Sequence, residues 1–222
     1  MSIADKLSTI AENEQKVYDA GYEKGKSEGG VSLSSITNWS YMFGYSTRQE
    51  ILKQLKYSDT SNGVCFNDMF RESCGLTEIP PLDTSNGIDF SSMFFCCESL
   101  TEIPPLDTSN GREFYAMFME ACNLRTIPRL NLSKATGLGD MFYCCESLEN
   151  VNFEGTIPIT QNLWFFDYSP NLTVDSLMSF INALSDNTNL TKTYTVSIGS
   201  TNLAKLTEEQ KAVATNKNIK LA

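Results

Sequence analysis

The apolar positions of this chain recur at one fixed step. Met69-Phe70, Met93-Phe94, Met117-Phe118 and Met141-Phe142 are spaced 24 residues apart. Aligning the chain on that step sorts it into columns. Phe66, Phe90, Phe114 and Leu138 form one, and Leu76, Leu100, Leu124 and Leu148 another. Ile79, Ile103, Ile127 and Val151 form a third, and Leu82, Leu106 and Leu130 a fourth. A fixed period of about 20–50 residues marks a solenoid, propeller or array, in which each unit buries its apolar face against its neighbours. All four columns are therefore expected to point inward. The frame continues in decayed form at both ends. Leu52 and Leu55 stand one step before Leu76 and Ile79, while Met42-Phe43 is displaced as if by a three-residue insertion. Phe165, Phe166 and Leu172 stand one step after Met141, Phe142 and Leu148.

Two shorter periods run inside each unit. Phe90, Met93, Phe94 and Cys97 fall at i, i+3, i+4 and i+7, the spacing of one face of a short helix. The preceding Asp83-Thr84-Ser85-Asn86-Gly87 is a cluster of turn and N-cap residues. Leu100 to Ile103 reads as a short strand, closed by Pro104-Pro105, which lack the amide donors of a ladder. One unit is thus expected to run strand, turn, short helix, turn. Parallel strands are expected near residues 76–82, 100–106, 124–130 and 148–153, stacked at about 4.8 Å. The fold class that follows is α/β: a solenoid of 24-residue coils, each with a short parallel strand and a short helix, between an N-terminal helix and an α/β C-terminal cap.

Residues 2–28 read as a helix, with Ser2 as N-cap. Ile3, Leu7, Ile10 and Val17 follow the spacing of a coiled-coil seam, interrupted by Glu14 and Gly21. Three roles stay open for this segment: homo-oligomerisation through residues 2–28, packing on the end of the repeats, or a mobile arm. Gly25, Gly29 and Gly30 mark a junction. Beyond residue 172 the step is lost. A helix is expected to begin near Asp175, a strand over Tyr194–Ile198, a second helix from the capping box Thr207-Glu-Glu-Gln210, and a last strand over Asn218–Leu221. The chain divides into an N-terminal arm (1–30), a degenerate first coil (31–58), the repeats (59–172) and a C-terminal cap (173–222).

The string Leu-Asp-Thr-Ser-Asn-x-x-x-Phe-x-x-Met-Phe-x-x-Cys-x-Ser-Leu-Thr-x-Ile-Pro resembles bacterial leucine-rich repeats. It is most similar to the BspA-like class and to a related repeat of mycoplasma surface lipoproteins, closely over 59–151 and loosely over 35–172. The resemblance implies a leucine-rich repeat fold used for binding, and names no ligand. The ends resemble a second group. Ile3 to Asn13, and Thr201 to Thr207 followed by Ala214-Thr-Asn-Lys217, look like the flanks of repeat proteins encoded among phage and prophage tail genes of gut bacteria.

Composition narrows the function classes. The net charge of −10 (17 basic and 27 acidic residues) repels phosphate backbones and anionic membrane surfaces, so no nucleic-acid partner is expected. The chain has no His, which removes the commonest general base and metal ligand and excludes Ser-His-Asp and Cys-His catalysis within it. Its seven Cys include no Cys-x-x-Cys pair. They read as small thiols tightening the stacked units, so neither metal nor cofactor is expected. No apolar run reaches the length of a membrane span, and Met1-Ser-Ile-Ala-Asp-Lys has no signal-peptide pattern. The expected location is cytoplasmic synthesis without a signal, with association to a virion rather than to the bacterial surface.

The expected function is a non-catalytic binding module that recognises a protein or glycan on a cell surface. The alternatives are a bacterial adhesin, or a spacer without a specific ligand. Two outward columns are candidates for the contact surface. Glu78, Glu102, Thr126 and Asn150 lie on the strand side, next to Thr77, Thr101, Arg125 and Glu149, of which alternation exposes one set. Phe95, Met119 and Tyr143, aligned with Arg71, follow each Met by two residues. Asp59, Asp83, Asp107 and Asn131 repeat once per unit and read as turn caps rather than as an acid/base pair.

Overall fold

The computed structural model describes residues 36–45, Leu55 and 58–222. The N-terminal helix expected over 2–28 and the column position Leu52 lie outside the described residues. Successive 24-residue units stack in parallel register, bridged through Cys65, Asp89, Glu113 and Gly137. Asn38 bridges Cys65 at a 27-residue step, which is the three-residue insertion inferred for the first unit.

All four apolar columns are buried. Inside them, aromatic rings form two continuous stacks. Phe66, Phe90 and Phe114 lie at centroid spacings of 5.6 and 5.5 Å. Phe43, Phe70, Phe94, Phe118 and Phe142 follow at 5.4–5.7 Å, with planes within 16° of parallel. Such pairs contribute roughly 0.5–1.5 kcal/mol each beyond the area they bury.

The short helix expected in each unit is not there. Between residues 58 and 173 the described chain forms no helix. Met93, Phe95 and Cys97 donate their amides to the carbonyls of Phe90, Ser92 and Phe94, giving overlapping β-turns. The intervening amides of Phe90, Ser92, Phe94 and Cys96 donate instead to Glu113, Tyr115, Met117 and Met119 of the next unit. Turning alternate amides outward requires left-handed backbone at non-glycine residues. Asp68, Ser92, Ala116 and Asp140, and Glu72, Cys96, Glu120 and Cys144, all have φ of 52–61°. Each costs roughly 1–2 kcal/mol, offset by the bond to the next unit and by ring burial. The i, i+3, i+4, i+7 spacing is real, because Phe90, Met93, Phe94 and Cys97 are all buried, but a chain of turns satisfies it as well as a helix does.

The strands are also fewer than expected. Only β1 (Thr126–Asn131) and β2 (Asn150–Glu154) pair as strands in the repeats, in parallel. Residues 100–106 contribute a single bridge, Glu102 to Thr126, and residues 76–82 form no strand. Proline explains the gradient. Two units carry Pro-Pro (Pro80-Pro81 and Pro104-Pro105), the third has Pro128-Arg129, and the fourth has none. Each proline removes one ladder donor.

The array ends against a helix that imitates the missing strand. Helix α1 (Val174–Ala183) packs on β2 with Thr173 as N-cap. The Ser176 and Ser179 hydroxyls accept the amides of Val151 and Phe153 at 3.1 and 3.0 Å. The open edge of β2 is thereby satisfied by side chains instead of by another ladder. Phe180 of α1 stacks on Phe165 at 4.5 Å and closes the aromatic core. Beyond it, β3 (Leu163–Trp164), β4 (Tyr194–Ser197) and β5 (Ile219–Leu221) form an all-parallel sheet in that order. Helices α2 (Ser200–Lys205) and α3 (Glu208–Thr215) connect β4 to β5, and α3 opens on the expected capping box. The pairing strand β3 and helix α2 have no counterpart in the sequence reading. Lys217 donates to the carbonyls of Ile181, Asn182 and Leu184, which terminate α1.

Candidate functional site

Each unit presents its side chains from rigid turns. Asp59, Asp83, Asp107 and Asn131 accept the amides of Ser61, Ser85, Ser109 and Ser133 at 2.9–3.0 Å, the local turn capping that their repetition implied. The side-chain hydrogen bonds of Ser61 and Ser109, followed by these amide bonds, hold the Asp59 and Asp107 carboxyls below the usual range. The threonine that follows works between units. The buried Thr60, Thr84 and Thr108 hydroxyls donate to the carbonyls of Asp83, Asp107 and Asn131.

On that scaffold Glu102, Thr126 and Asn150 are brought into one column by direct backbone pairing. Glu78 is exposed like the other three. The neighbouring Thr77, Thr101, Arg125 and Glu149 are exposed as well. Alternation was expected to bury one set, but the segment is too irregular to alternate. Arg125 and Glu149 approach to 4.0 Å, an exposed pair of small energetic weight.

The second candidate column is half-buried at Phe95, Met119 and Tyr143. It is continuous. The Arg71 guanidinium sits 4.3 Å over the Phe95 ring, and the Tyr143 ring meets the edge of Tyr168 at 5.2 Å. Tyr168 is 67% exposed, so the run surfaces at its C-terminal end.

There it meets a cleft of about 580 Å³ between the last unit and the cap, lined by Glu146, Asp167, Tyr168, Asn171, Ser200 and Thr201 among others. Asp167 stands one step after Tyr143. One of its carboxylate oxygens accepts from Ser197 Oγ at 2.8 Å, and the other, Oδ2, is buried with no hydrogen-bond partner. None of the cleft residues was selected from the sequence. The available signal was the aromatic-to-acid change at position 167, visible once the 24-residue step is carried past Tyr143.

All seven cysteines are free thiols. Cys97 and Cys145 are buried and donate to the Phe70 and Phe118 carbonyls, each at 3.0 Å. The Cys96 thiol donates to Glu120 Oε2 at 2.9 Å. Burial, followed by neighbouring carboxylates, pushes Cys74, Cys96 and Cys122 up, away from the thiolate form. Among the described residues no group of three or more Cys, Asp or Glu could hold a metal ion. No helix among them is long and apolar enough to cross a membrane.

This stacked repeat has a family. The model of the family described as "Mycoplasma protein of unknown function, DUF285" matches residues 37–155, more than half of the 222 residues, and the chain belongs to that family. It is a mycoplasma-associated family often found in repeat proteins of the BspA-like, mycoplasma-lipoprotein type. No curated protein and no solved structure matches the chain.

Proposed function

We propose that the stacked units are a leucine-rich repeat solenoid of BspA-like type, and that the protein is a non-catalytic module for adhesion or receptor recognition. The observation that carries this reading is the registered, exposed column Glu102–Thr126–Asn150, together with the half-buried column Phe95, Met119 and Tyr143, which ends against the exposed Tyr168 ring. Side chains repeated on a rigid frame give several weak contacts at once, and linked contacts gain from effective concentration. The target is a protein or glycan on a cell surface. The resemblance of the chain ends to phage and prophage tail proteins favours a tail-associated role. In that role residues 1–30 attach or multimerise while the repeats recognise.

The test is binding of the purified protein to a panel of intact bacterial cells. Replacing Glu102 and Thr126, or Phe95 and Met119, should weaken binding with the Glu102/Thr126 variant melting as the parent does. Deleting residues 1–30 should leave the repeats folded but lower the oligomeric order seen by light scattering. A chain that binds no cell, or whose binding ignores both sets of substitutions, refutes the reading. Mass spectrometry of virions from the source strain tests the tail assignment separately.

A further inference from the structure

Four of the seven cysteines fall into two pairs built alike. The Cys74 thiol donates to the Glu72 carbonyl at 3.4 Å and to the Cys96 carbonyl, in the next unit, at 3.5 Å. Two units on, the Cys122 thiol donates to the Glu120 carbonyl at 3.3 Å and to the Cys144 carbonyl at 3.7 Å. In both pairs the partners stand 22 residues apart, and the second, Cys96 or Cys144, sits in left-handed backbone with φ of 52° or 58°. Each first sulfur therefore rests against the main chain of the second cysteine, across one boundary between units. None of the four is fully buried. The other three thiols are placed differently. Cys97 and Cys145 are buried on the Phe70 and Phe118 carbonyls, and Cys65 donates to Asn67 Oδ1 at 2.9 Å. Carboxylates stand between the pairs. The 24-residue columns read Glu72, Cys96, Glu120, Cys144 and Cys74, Glu98, Cys122, Glu146, so acid and thiol alternate along both.

From this we infer that Cys74–Cys96 and Cys122–Cys144 are two disulfide sites, which close when the folded protein meets a small disulfide such as oxidised glutathione. The thiolate of one cysteine attacks a glutathione sulfur, and one glutathione leaves. The second protein thiolate attacks the protein sulfur of that mixed disulfide and expels the other glutathione. One S–S bond of the oxidant is broken, one protein S–S bond forms, and the two thiol protons end on the two glutathiones. Closure needs a side-chain rotation rather than a new fold. The Cys96 thiol, which donates to Glu120 Oε2 at 2.9 Å, leaves that carboxylate and turns about χ1 to a second staggered position towards Cys74. Burial, with carboxylates close by, holds all four thiols towards the protonated form. The pairs therefore stay reduced under a thiol buffer and exchange faster as pH rises. Each bond ties one unit to the next, so closure constrains the unfolded chain and staples the array at two boundaries. The inference concerns the frame and stands apart from the recognition role.

The experiment oxidises the folded full chain with glutathione disulfide, alkylates the remaining thiols in a denaturing quench, and maps the links by mass spectrometry. Combined cleavage after Lys, Arg and Glu places Cys74, Cys96, Cys122 and Cys144 on four different peptides, and fragmentation tells Cys96 from Cys97 and Cys144 from Cys145. Of the seven thiols, the three outside the pairs should be alkylated, and the links Cys74–Cys96 and Cys122–Cys144 should both be found. They should form faster at about pH 9 than at about pH 7, and the oxidised protein should melt above the reduced one. Cys74→Ser should abolish the first link and leave the second, and Cys122→Ser the reverse. Seven alkylated thiols, glutathione retained on the four positions, or links through Cys65, Cys97 or Cys145 overturn the inference. Closure of one pair alone overturns the repeated site. Oxidation in urea is the reference: if the unfolded chain forms the same two links with the same preference, the stacked units do not select them and the inference falls.

Discussion

Gly87 and Phe90 are a matched pair: a Cβ on Gly87 would lie under 3.0 Å from Phe90 Cζ, inside any real contact. Gly63 with Phe66, and Gly111 with Phe114, repeat the relationship. The next unit breaks both halves together. One step after Gly111 stands Ala135, and one step after Phe114 stands Leu138. The smaller side chain makes room for the methyl, and Ala135 still donates to Leu132 as Gly111 does to Thr108. The ring is the nearest obstacle to a Cβ at all three glycines, and at Gly63 and Gly87 the Thr60 and Thr84 carbonyls, at 2.9 Å, are the next.

Gly87→Ala alone should therefore destabilise the protein by about 1–3 kcal/mol through overpacking. Phe90→Leu alone should also cost stability, through a cavity in the ring stack. Combined, the two should cost clearly less than their sum, because the pair then reproduces Ala135 and Leu138. Urea unfolding of the four proteins measures the coupling, and strict additivity would refute the pairing.

A second column contains a gap that can be filled. Ser73, Cys97, Cys145 and Ser169 donate to the carbonyls of Phe43, Phe70, Phe118 and Phe142, each one unit away. Between them stands Ala121, buried and without a side-chain donor, so among the described residues the Phe94 carbonyl receives only the Cys97 amide, at 3.2 Å. Ala121→Ser should restore the column and stabilise by about 0.5–1.5 kcal/mol. A lower urea midpoint in the variant would show that the site has no room for the hydroxyl.

The edge seal by α1 is the point on which the end of the array depends. The Ser176 hydroxyl accepts the Val151 amide at 3.1 Å and donates to the Glu149 carbonyl at 3.2 Å. Ser176→Ala leaves a buried amide unpaired and should cost about 1–3 kcal/mol. Amide hydrogen exchange should accelerate at Val151 ahead of residues such as Phe94, deep in the repeats. Uniform acceleration along the chain would mean that α1 does not seal the edge separately.

Burial pushes the Cys97 thiol from 9.0 up to about 12, and Cys145 up as well. A folded value above the unfolded one means that the unfolded chain loses these protons first. The stability they contribute is complete below about pH 9 and is lost as pH rises towards 12. Replacing both by Ser keeps donors like those of Ser73 and Ser169 but removes the titration. Melts in reductant between pH 8 and pH 11 should fall less steeply for the double variant than for the parent, other thiols keeping part of the slope. Equal slopes would place the alkaline transition elsewhere.

The 24-residue step, the four buried columns, the displaced first unit and the cap elements α1, β4, α3 and β5 were all legible in sequence. Each rests on a local or strictly periodic signal: apolar residues at one spacing, prolines that remove donors, a capping box at Thr207. The helix inferred for each unit was not borne out, because periodicity reports which residues turn inward and not where their amides bond. That choice was settled between units, where the carbonyls of Glu113, Tyr115, Met117 and Met119 capture alternate amides and hold Ser92 and Cys96 in left-handed backbone. The candidate columns could be named from spacing alone, but the exposure of both strand-side sets and the contact of Tyr143 with Tyr168 depend on packing. The cleft is tertiary altogether. Asp167 and Ser200 are separated by a helix and a strand in sequence, and only the folding of the cap back onto the last unit brings them to one site. Spacing along the chain determined what is inside; the partners supplied by neighbouring units decided how the backbone turns and where a ligand has room.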